Sequence, residues 1–473
     1  MKHTKHAKEK RDETPRAYEP SEVSENEAEG EETNTEKEKT ARELKKEQRL
    51  KEKNAKKLEK LMKKQHGKKP EPTEADEEEP DEEEGETRRA RRKKSSRFTK
   101  KQIILAVLIL VVLFVVMLFA FGGDRFSMHN ISNFINYGIF NRNSEEKFPL
   151  DIKGENVSAG SFVRKGQDVC YCSDTRTQLL NNYGRSVYSV QHAFIRPAMA
   201  SSNEKTLVYN LGGTAYQIIG KDGKFQAFEA EDNIICAAIN NKGVYALVTQ
   251  NGGYLSKLYV YDDEQNQIYA YSFADYYVTS VDLSDSGKQA VVSGISALDG
   301  VSIASVYVLD FTKDSPRYFS EYQGDLIYEV RYLSGDRACA IGSTAAYSVN
   351  TSNGSVETYA YEGRALTAYD INTDTSTYTL ALSSSGDGRN CDIVSFNSSG
   401  KAEKSFNIDE RIIGLSTYKG RVMLLSSDSV MLYSKDGTHY NDKALSSDPH
   451  AVVMYTASDA YVLCTGYIDT VTL

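Results

Sequence analysis

The stretch VTSVDLSDSGKQAVVSG at residues 278–294, followed by SVYVLDF at 305–311 and RYFSEY at 317–322, decides the fold. Its apolar residues alternate with polar ones at a period of two, which is typical of strands with one buried face. Ser, Asp and Gly mark its first turn. We interpret it as one unit: strand, Ser/Asp-Gly turn, strand, loop, strand ending near Asp310, turn, strand.

The same order of strands recurs along residues 148–473. Candidate first strands, at a spacing of 38 to 49 residues, begin near Val157, Arg196, Ile234, Tyr277, Leu326, Ala365, Arg411 and His450. Candidate third strands are Tyr216 to Ile219, Lys257 to Tyr261, Val306 to Asp310, Ala346 to Asn350, Asp392 to Phe396 and Val430 to Tyr433. The turns that follow contain Gly223, Gly354, Gly400 and Gly437, as expected where a positive φ is needed. Four short strands per copy, repeated about every 40 residues, predict an all-β protein, a β-propeller.

Eight first strands predict eight blades, with seven as the fallback because the first and last copies are the most degenerate. The copy that begins at His450 has room for only three strands before Leu473. The isolated strand FPLDI, Phe148 to Ile152, is expected to supply the missing fourth. A ring closed by strands from both ends has no open sheet edge.

A charge-free run of nineteen apolar residues, Ile103 to Phe121, predicts a transmembrane helix within residues 102–123. At about 1.5 Å per residue it spans about 28 Å, which matches the hydrocarbon core of a bilayer. Nine of the fourteen residues at 88–101 are Lys or Arg, so the positive-inside rule places the N-terminus in the cytoplasm and the C-terminal part outside. The alternative is a signal peptide cleaved near Ala120 to Gly122, but the apolar run and the region before it are too long for one.

Residues 1–101 form a charged tail whose first part has almost no apolar residue and is predicted to be disordered. Residues 41–65 favour a solvated single helix, with a coiled-coil pair as the alternative. The acidic block at 71–86 lies next to the basic block at 88–101. This indicates either a tail that folds back on itself or a docking tract for a cytoplasmic partner. Residues 124–147 are expected to link the membrane to the propeller and are compatible with an amphipathic helix.

The part of the chain after the tail is acidic, with 28 basic and 40 acidic residues. This charge argues against nucleic acid or another anionic polymer as its partner. All six cysteines lie in this part: Cys170, Cys172, Cys236, Cys339, Cys391 and Cys464. We interpret them as small buried apolar residues, with a disulfide framework as the alternative, because the domain is large enough to form its own core.

Few residues indicate a chemical site. His192 and His450 lie at or near predicted first strands and are candidates for one end of the channel. Without a third partner, they and His439 are better interpreted as surface or turn histidines. The acidic turns at Asp262 to Glu264 and Asp282 to Asp285 have too few ligands for a calcium loop. Motifs of serine hydrolases, zinc proteases and P-loop proteins are absent from the sequence, so we expect no enzyme, metal or cofactor.

Tyrosine is abundant after the tail, since all but Tyr18 of the 31 tyrosines lie there. Most are expected to pack in the core and between blades. Those exposed at loop ends would form a surface that binds protein or glycan.

The order of a charged tail, one membrane span, a short HNISNFI segment, the FPLDI strand and tyrosine-rich repeats resembles a bacterial family of unknown function, number 5711. The resemblance covers residues 103–473. It implies a single-pass membrane protein with propeller repeats similar to WD40 and quinoprotein repeats, and it implies no activity and no site residues. The chain has no Trp, so the tryptophan motifs of those two repeat types are missing.

The leading functional hypothesis is a binding or scaffolding propeller held on the outer face of the cytoplasmic membrane by Ile103 to Phe121. Its partner is then an envelope protein or glycan. The alternatives are a propeller enzyme with its site at a channel mouth, and a transmembrane sensor that signals to the tail.

Overall fold

The computed structural model describes residues 148–473, and these form eight four-stranded antiparallel sheets. The isolated strand β1 (Leu150–Asp151) comes first. Blade 1 consists of β2 (Val157–Lys165), β3 (Asp168–Ser173), β4 (Arg176–Leu180) and β5 (Ser186–Gln191). Blade 2 consists of β6 (Pro197–Ser201), β7 (Lys205–Asn210), β8 (Ala215–Gly220) and β9 (Phe225–Glu229). Blade 3 consists of β10 (Ile234–Ile239), β11 (Tyr245–Asn251), β12 (Tyr254–Tyr261) and β13 (Gln267–Phe273). Blade 4 consists of β14 (Tyr277–Leu283), β15 (Gln289–Leu298), β16 (Val301–Asp310) and β17 (Tyr318–Gln323).

The remaining four blades repeat this arrangement. Blade 5 consists of β18 (Ile327–Ser334), β19 (Arg337–Gly342), β20 (Ala345–Asn350) and β21 (Val356–Ala360). Blade 6 consists of β22 (Ala365–Asn372), β23 (Thr377–Ser383), β24 (Cys391–Phe396) and β25 (Ala402–Ile408). Blade 7 consists of β26 (Gly414–Tyr418), β27 (Arg421–Leu425), β28 (Ser429–Ser434) and β29 (His439–Ala444). Blade 8 consists of β30 (Pro449–Met454), β31 (Asp459–Cys464) and β32 (Tyr467–Thr472), completed by β1.

The eight-bladed β-propeller predicted from the repeats is confirmed. Every first strand begins within three residues of its predicted start, and the largest difference is at β26, which begins at Gly414 rather than Arg411. The six predicted third strands all lie within observed third strands. First strands of neighbouring blades contact one another, so they surround the central channel.

The predicted ring closure is also confirmed. Leu150 pairs with Ile468 and Asp151 with Tyr467, so β1 is the outermost strand of blade 8. Ile152, which follows, is buried in a cluster that joins blades 8 and 1. The Tyr461 hydroxyl of blade 8 donates a hydrogen bond to the Gln167 carbonyl of blade 1 at 2.6 Å.

One element of the repeat was predicted incorrectly. The residues between 294 and 305 do not form a loop, because β15 and β16 continue through them in ten consecutive pairs from Gln289↔Asp310 to Leu298↔Val301. Asp299 and Gly300 connect the two strands, and both have a positive φ, at 51° and 80°. A two-residue Asp-Gly turn with both φ values positive matches the twist of a hairpin, so it allows the strands to extend to their tips.

The core lies between neighbouring blades. The largest cluster, for example, joins side chains of blade 3, such as Val248 and Leu258, to side chains of blade 4, such as Val281 and Val292. Fully buried tyrosines occupy these interfaces, as predicted: Tyr171, Tyr245, Tyr361, Tyr378 and Tyr461. Five of the six cysteines are buried as expected, Cys236 is half-buried, and all six are unpaired in the structure.

Several predictions lie outside the described residues. These are the charged tail (1–101), the helix at 41–65, the membrane span Ile103 to Phe121 and the linker (124–147). Within residues 148–473 the structure contains no helix that is both long and apolar enough to cross a membrane.

Candidate functional site

The central channel opens on two faces of the propeller. We call the face where the eight innermost strands begin the mouth face, and the face where they end the back face. The connections from each second strand to the third, and from each outermost strand to the next blade, lie on the mouth face because neighbouring strands are antiparallel. The other hairpin turns lie on the back face.

Three cavities follow one another along the channel. The cavity at the back face has a volume of about 340 Å³, and the middle one has about 320 Å³. Arg164 and Arg331 line both of them. The cavity at the mouth face is larger, at about 520 Å³, and Tyr328 lies between it and the middle cavity.

The back opening is crossed by an ion pair. Arg164 of β2 binds Asp374, which lies in the first turn of blade 6, and Arg164 Nη1 also donates to the Gly166 carbonyl at 2.9 Å. Blades 7 and 8 separate blades 1 and 6 around the ring, so this pair bridges the opening. The side chains of Arg164 and Asp374 therefore narrow the back cavity, and their opposite charges neutralise each other.

A second charged group lies in the channel wall. Arg331 of β18 binds Glu329 on its own strand, with Nε 3.1 Å from Oε1, and its Nη1 lies 3.7 Å from Asp282 Oδ1 of blade 4. The Tyr369 hydroxyl of blade 6 donates to Glu329 Oε2 at 3.0 Å. The Arg331 side chain is 41% exposed, and this exposed part faces the channel. The carboxylates of Glu329 and Asp282 thus each have a positively charged partner in Arg331.

Asp282 and Asp370, which both lie on innermost strands, connect neighbouring blades through hydrogen bonds. Asp282 Oδ2 accepts the Tyr332 N–H of blade 5 at 2.8 Å. Asp370 Oδ2 accepts the Thr417 N–H of blade 7 at 3.0 Å and its hydroxyl at 2.6 Å. Burial raises the pKa of Asp282 to about 6 despite the nearby Arg331, and burial raises the pKa of Asp370 to about 6 despite the bonds from Thr417.

These two raised pKa values predict a pH dependence of stability. The folded protein binds protons at Asp282 and Asp370 at a higher pH than the unfolded chain, so their contribution to the free energy of unfolding rises as the pH falls from 7 to about 4. A chain with Asp282→Asn and Asp370→Asn should lose this rise, as measured by urea unfolding at several pH values. A chain with the exposed Asp285→Asn should keep it. Parallel pH profiles for wild type and double variant would contradict the assignment.

The mouth cavity is mostly apolar. Its walls include Phe162, Leu366, Ile413 and Leu415, and His450 lies at its rim. Ala159 also lines it, from a bulge in β2 between Val157 and Phe162. Aliphatic and aromatic side chains of a partner fit such a cavity, since burial removes their apolar surface from water.

Exposed apolar side chains also lie on the mouth face of blades 2 to 4, outside the set of blades that line this cavity. Ile195, which precedes blade 2, is 88% exposed, and Leu298 and Tyr277 of blade 4 are 63% and 57% exposed. Tyr254 of blade 3 and Val301 of blade 4 are each 49% exposed. The expectation that some tyrosines are exposed at loop ends is met at Tyr254 and Tyr277, which each directly follow a connection between strands.

The structure does not bring the histidines together. His192 packs on Phe194 and has its Nε2 3.5 Å from Cys172 Sγ, away from the channel, and burial lowers its pKa. His439 lies on the outermost strand of blade 7, near Asp442. Only His450 reaches the mouth cavity, where its Nε2 lies 2.8 Å from Thr465 Oγ1.

The two acidic segments differ. Asp262 Oδ1 accepts the Glu264 and Asn266 amides at 2.9 and 2.8 Å, which is ordinary turn chemistry. The interpretation of Asp282 as a turn residue is wrong, because it lies within β14 and its carboxylate faces the channel. Among residues 148–473, the structure shows no group of three or more His, Cys, Asp or Glu that could hold a metal ion.

Comparison with known proteins agrees with the repeat architecture. The description "Family of unknown function (DUF5711)" applies to residues 143–473, which are more than half of the chain. The chain belongs to this family. A search of the curated proteins found no match to this DUF5711 chain.

Solved structures similar to this DUF5711 protein are propellers of low sequence identity. The C-terminal WD40 domain of Sif2 is 11% identical, with a TM-score of 0.50, covering 70% of this chain and 99% of that one. BamB from Moraxella catarrhalis is 11% identical, with a TM-score of 0.46, covering 69% and 100%. Streptogramin B lyase is 12% identical, with a TM-score of 0.37, covering 59% and 93%. At 11% identity, the similarity to the Sif2 domain shows a shared fold alone.

Proposed function

We propose that this DUF5711 protein is a membrane-anchored binding or scaffolding propeller that acts outside the cytoplasmic membrane, in the cell envelope, without catalysing a reaction. The observation that carries this proposal is the contrast between its two openings. The back opening is bridged by the Arg164–Asp374 ion pair, whereas the mouth face combines an apolar cavity with exposed apolar side chains. Clustered exposed apolar surface is characteristic of interaction sites.

Site-specific photo-cross-linking of the full chain in intact cells tests the binding function. A photoreactive amino acid at Ile195, Tyr254 or Leu298 on the mouth face should give a discrete cross-linked product. The same amino acid at Phe225 or Tyr440 serves as the control, since both are exposed and lie within the first two residues of an outermost strand, near the back face. Cross-linking that is equal on both faces, or absent from every position, would count against a binding role for the mouth face.

The location rests on the sequence, since the apolar segment Ile103 to Phe121 follows a block of nine basic residues. Protease added to intact cells is expected to cleave exposed connections within residues 148–473 and to spare residues 1–101. Detergent-permeabilised cells, in which both parts are accessible, provide the control. Cleavage of residues 1–101 with residues 148–473 left intact would show the opposite membrane orientation and would contradict a location in the cell envelope.

A second candidate function, a propeller enzyme, is favoured by Asp282 and Asp370. Carboxyl groups with a pKa of about 6 suit proton transfer near neutral pH. Each of them, however, already accepts a backbone N–H of the next blade, so stabilisation of the ring accounts for their position. An enzyme would require a substrate whose turnover is abolished by Asp282→Asn or Asp370→Asn while the fold is retained.

A further inference from the structure

The second hairpin of blade 4 extends beyond the rest of the mouth face. The innermost strand last pairs with it at Tyr277↔Ile295, and the outermost strand last pairs with it at Ile303↔Gln323. The last contact beyond these pairs is the Gly324 N–H with the Ser302 carbonyl at 2.8 Å, so residues 296–302, which we call the blade 4 tip, project largely as a two-stranded hairpin. Beyond Ile295, β15 continues for three residues, which corresponds to a projection of about 10 Å.

The blade 4 tip is built as a rigid apolar projection. Leu298 and Val301 face each other across the hairpin and lie on the same side of it as Ile303, because side chains alternate along a strand. Ile303 packs against the cluster between blades 3 and 4, whereas Leu298 and Val301 stay exposed. The Asp299-Gly300 turn, with both φ values positive, fixes the tip without a flexible loop. Exposed aliphatic side chains on a rigid element lose little conformational entropy when a partner covers them.

The two faces also differ in charge. Among the residues that connect strands, those on the mouth face include thirteen acidic and five basic residues, whereas those on the back face include ten of each. Exposed acidic residues on the mouth face of blades 2 to 4 include Glu231 between blades 2 and 3, Asp275 between blades 3 and 4, and Asp299 in the blade 4 tip. Such a surface attracts a positively charged partner and repels an anionic one.

We propose that the mouth face binds a basic polypeptide segment whose apolar side chains contact the blade 4 tip, while its Lys or Arg residues face the acidic connections. This deepens the proposed binding function and rests on it. At the blade 4 tip a protein partner fits better than a glycan, because the side chains of Leu298 and Val301 offer no hydrogen bonds and lack the flat aromatic surface on which sugar rings pack.

Binding of defined peptides to the full chain in mild detergent tests this proposal. The probe is a fluorescent peptide of alternating lysine and leucine, compared with peptides of glutamate and leucine, of lysine and serine, and with a chitin oligosaccharide. Fluorescence anisotropy should show the tightest binding for the lysine–leucine peptide. The double variant Leu298→Ser, Val301→Ser should bind the lysine–leucine peptide roughly tenfold more weakly. Asp275→Asn with Asp299→Asn should weaken binding roughly threefold and reduce its salt dependence.

Phe225→Ser is the matched control, since Phe225 is similarly exposed but lies near the back face, and it should leave the affinity unchanged. All altered residues are exposed, so an unchanged thermal melting curve should accompany each variant. Equal binding of the lysine and glutamate peptides, or of wild type and tip variant, would overturn the proposal. Binding of the oligosaccharide alone, lost in the tip variant, would replace it with a glycan site. A third outcome separates this inference from the binding function. If mouth-face positions outside the blade 4 tip cross-link to a partner in cells, and the Leu298→Ser, Val301→Ser variant binds the lysine–leucine peptide as tightly as wild type, this inference is wrong but the binding function is supported.

Discussion

Replacing Asp325 by alanine is expected to lower the free energy of unfolding by about 4 kcal/mol. Asp325 is buried in the connection between blades 4 and 5. Its Oδ1 accepts the Ser343 N–H and hydroxyl at 2.8 and 2.7 Å and the Thr344 N–H at 2.9 Å, and its Oδ2 accepts the Tyr347 hydroxyl at 2.8 Å. Alanine would leave these donors buried without an acceptor. Urea unfolding at neutral pH measures the loss.

The matched control is Asp275→Ala. Asp275 occupies the corresponding connection one blade earlier but is exposed, so its replacement should change the free energy of unfolding by about 0.5 kcal/mol or less. Similar losses for both variants would show that the hydrogen bonds of Asp325 do not stabilise the ring.

The effect of Asp325 should also depend on pH. Burial raises its pKa, but the hydrogen bonds from Ser343, Tyr347 and the backbone outweigh this and hold the pKa below its ordinary value of 3.8. Its stabilising contribution is therefore fully present above pH 3.8 and is lost as the pH falls through the folded pKa. The difference in the free energy of unfolding between wild type and Asp325→Ala should therefore become smaller under those acidic conditions.

Removal of β1, the strand that closes the ring, is also expected to lower the free energy of unfolding strongly. A chain of residues 153–473 lacks Phe148 to Ile152, and we expect it to be less stable than residues 148–473 by about 4 kcal/mol. Ile152 is buried, and Phe148 and Leu150 pack against the same cluster between blades 8 and 1. Their loss also exposes the edge of β32, which favours aggregation. Urea unfolding gives the difference in stability, and light scattering detects association.

Ile152→Ala in the longer chain separates packing from strand pairing. It keeps both backbone pairs of β1 and should cost about 2 kcal/mol, through the cavity it leaves. Equal stability of the two truncated chains would contradict closure of the ring by β1.

The fold was largely predictable because its signal is local and repeated. Alternation of apolar residues, such as in Val278 to Leu283, and the turn glycines each specify one hairpin. Because the signal recurs eight times at a regular spacing, the blades at the two ends could be predicted although their own patterns are weak. The loop predicted between 294 and 305 is wrong because the Asp299-Gly300 pair, a strong two-residue hairpin signal, was left out of that prediction.

The site was much less predictable. Arg164 and Asp374 are 210 positions apart in sequence, and only the ring geometry brings them together. The same holds for Asp282 and Arg331, whose strands belong to different blades. The one local signal for the mouth face was ISALDGVSI at 295–303, an Asp-Gly pair between apolar residues, but whether Leu298 is buried or exposed depends on where the neighbouring strands end.

The central claim is that the mouth face is the surface used for binding. Hydroxyl-radical footprinting of the full chain tests it most directly, by comparing side-chain oxidation in native membranes with that of the purified protein in detergent. If the mouth face is occupied, Tyr277, Leu298 and Val301 should be protected from oxidation in native membranes, while Phe225 and Tyr440 should be oxidised equally in both samples. Protection confined to Phe225 and Tyr440, or equal oxidation of all five side chains, would contradict it.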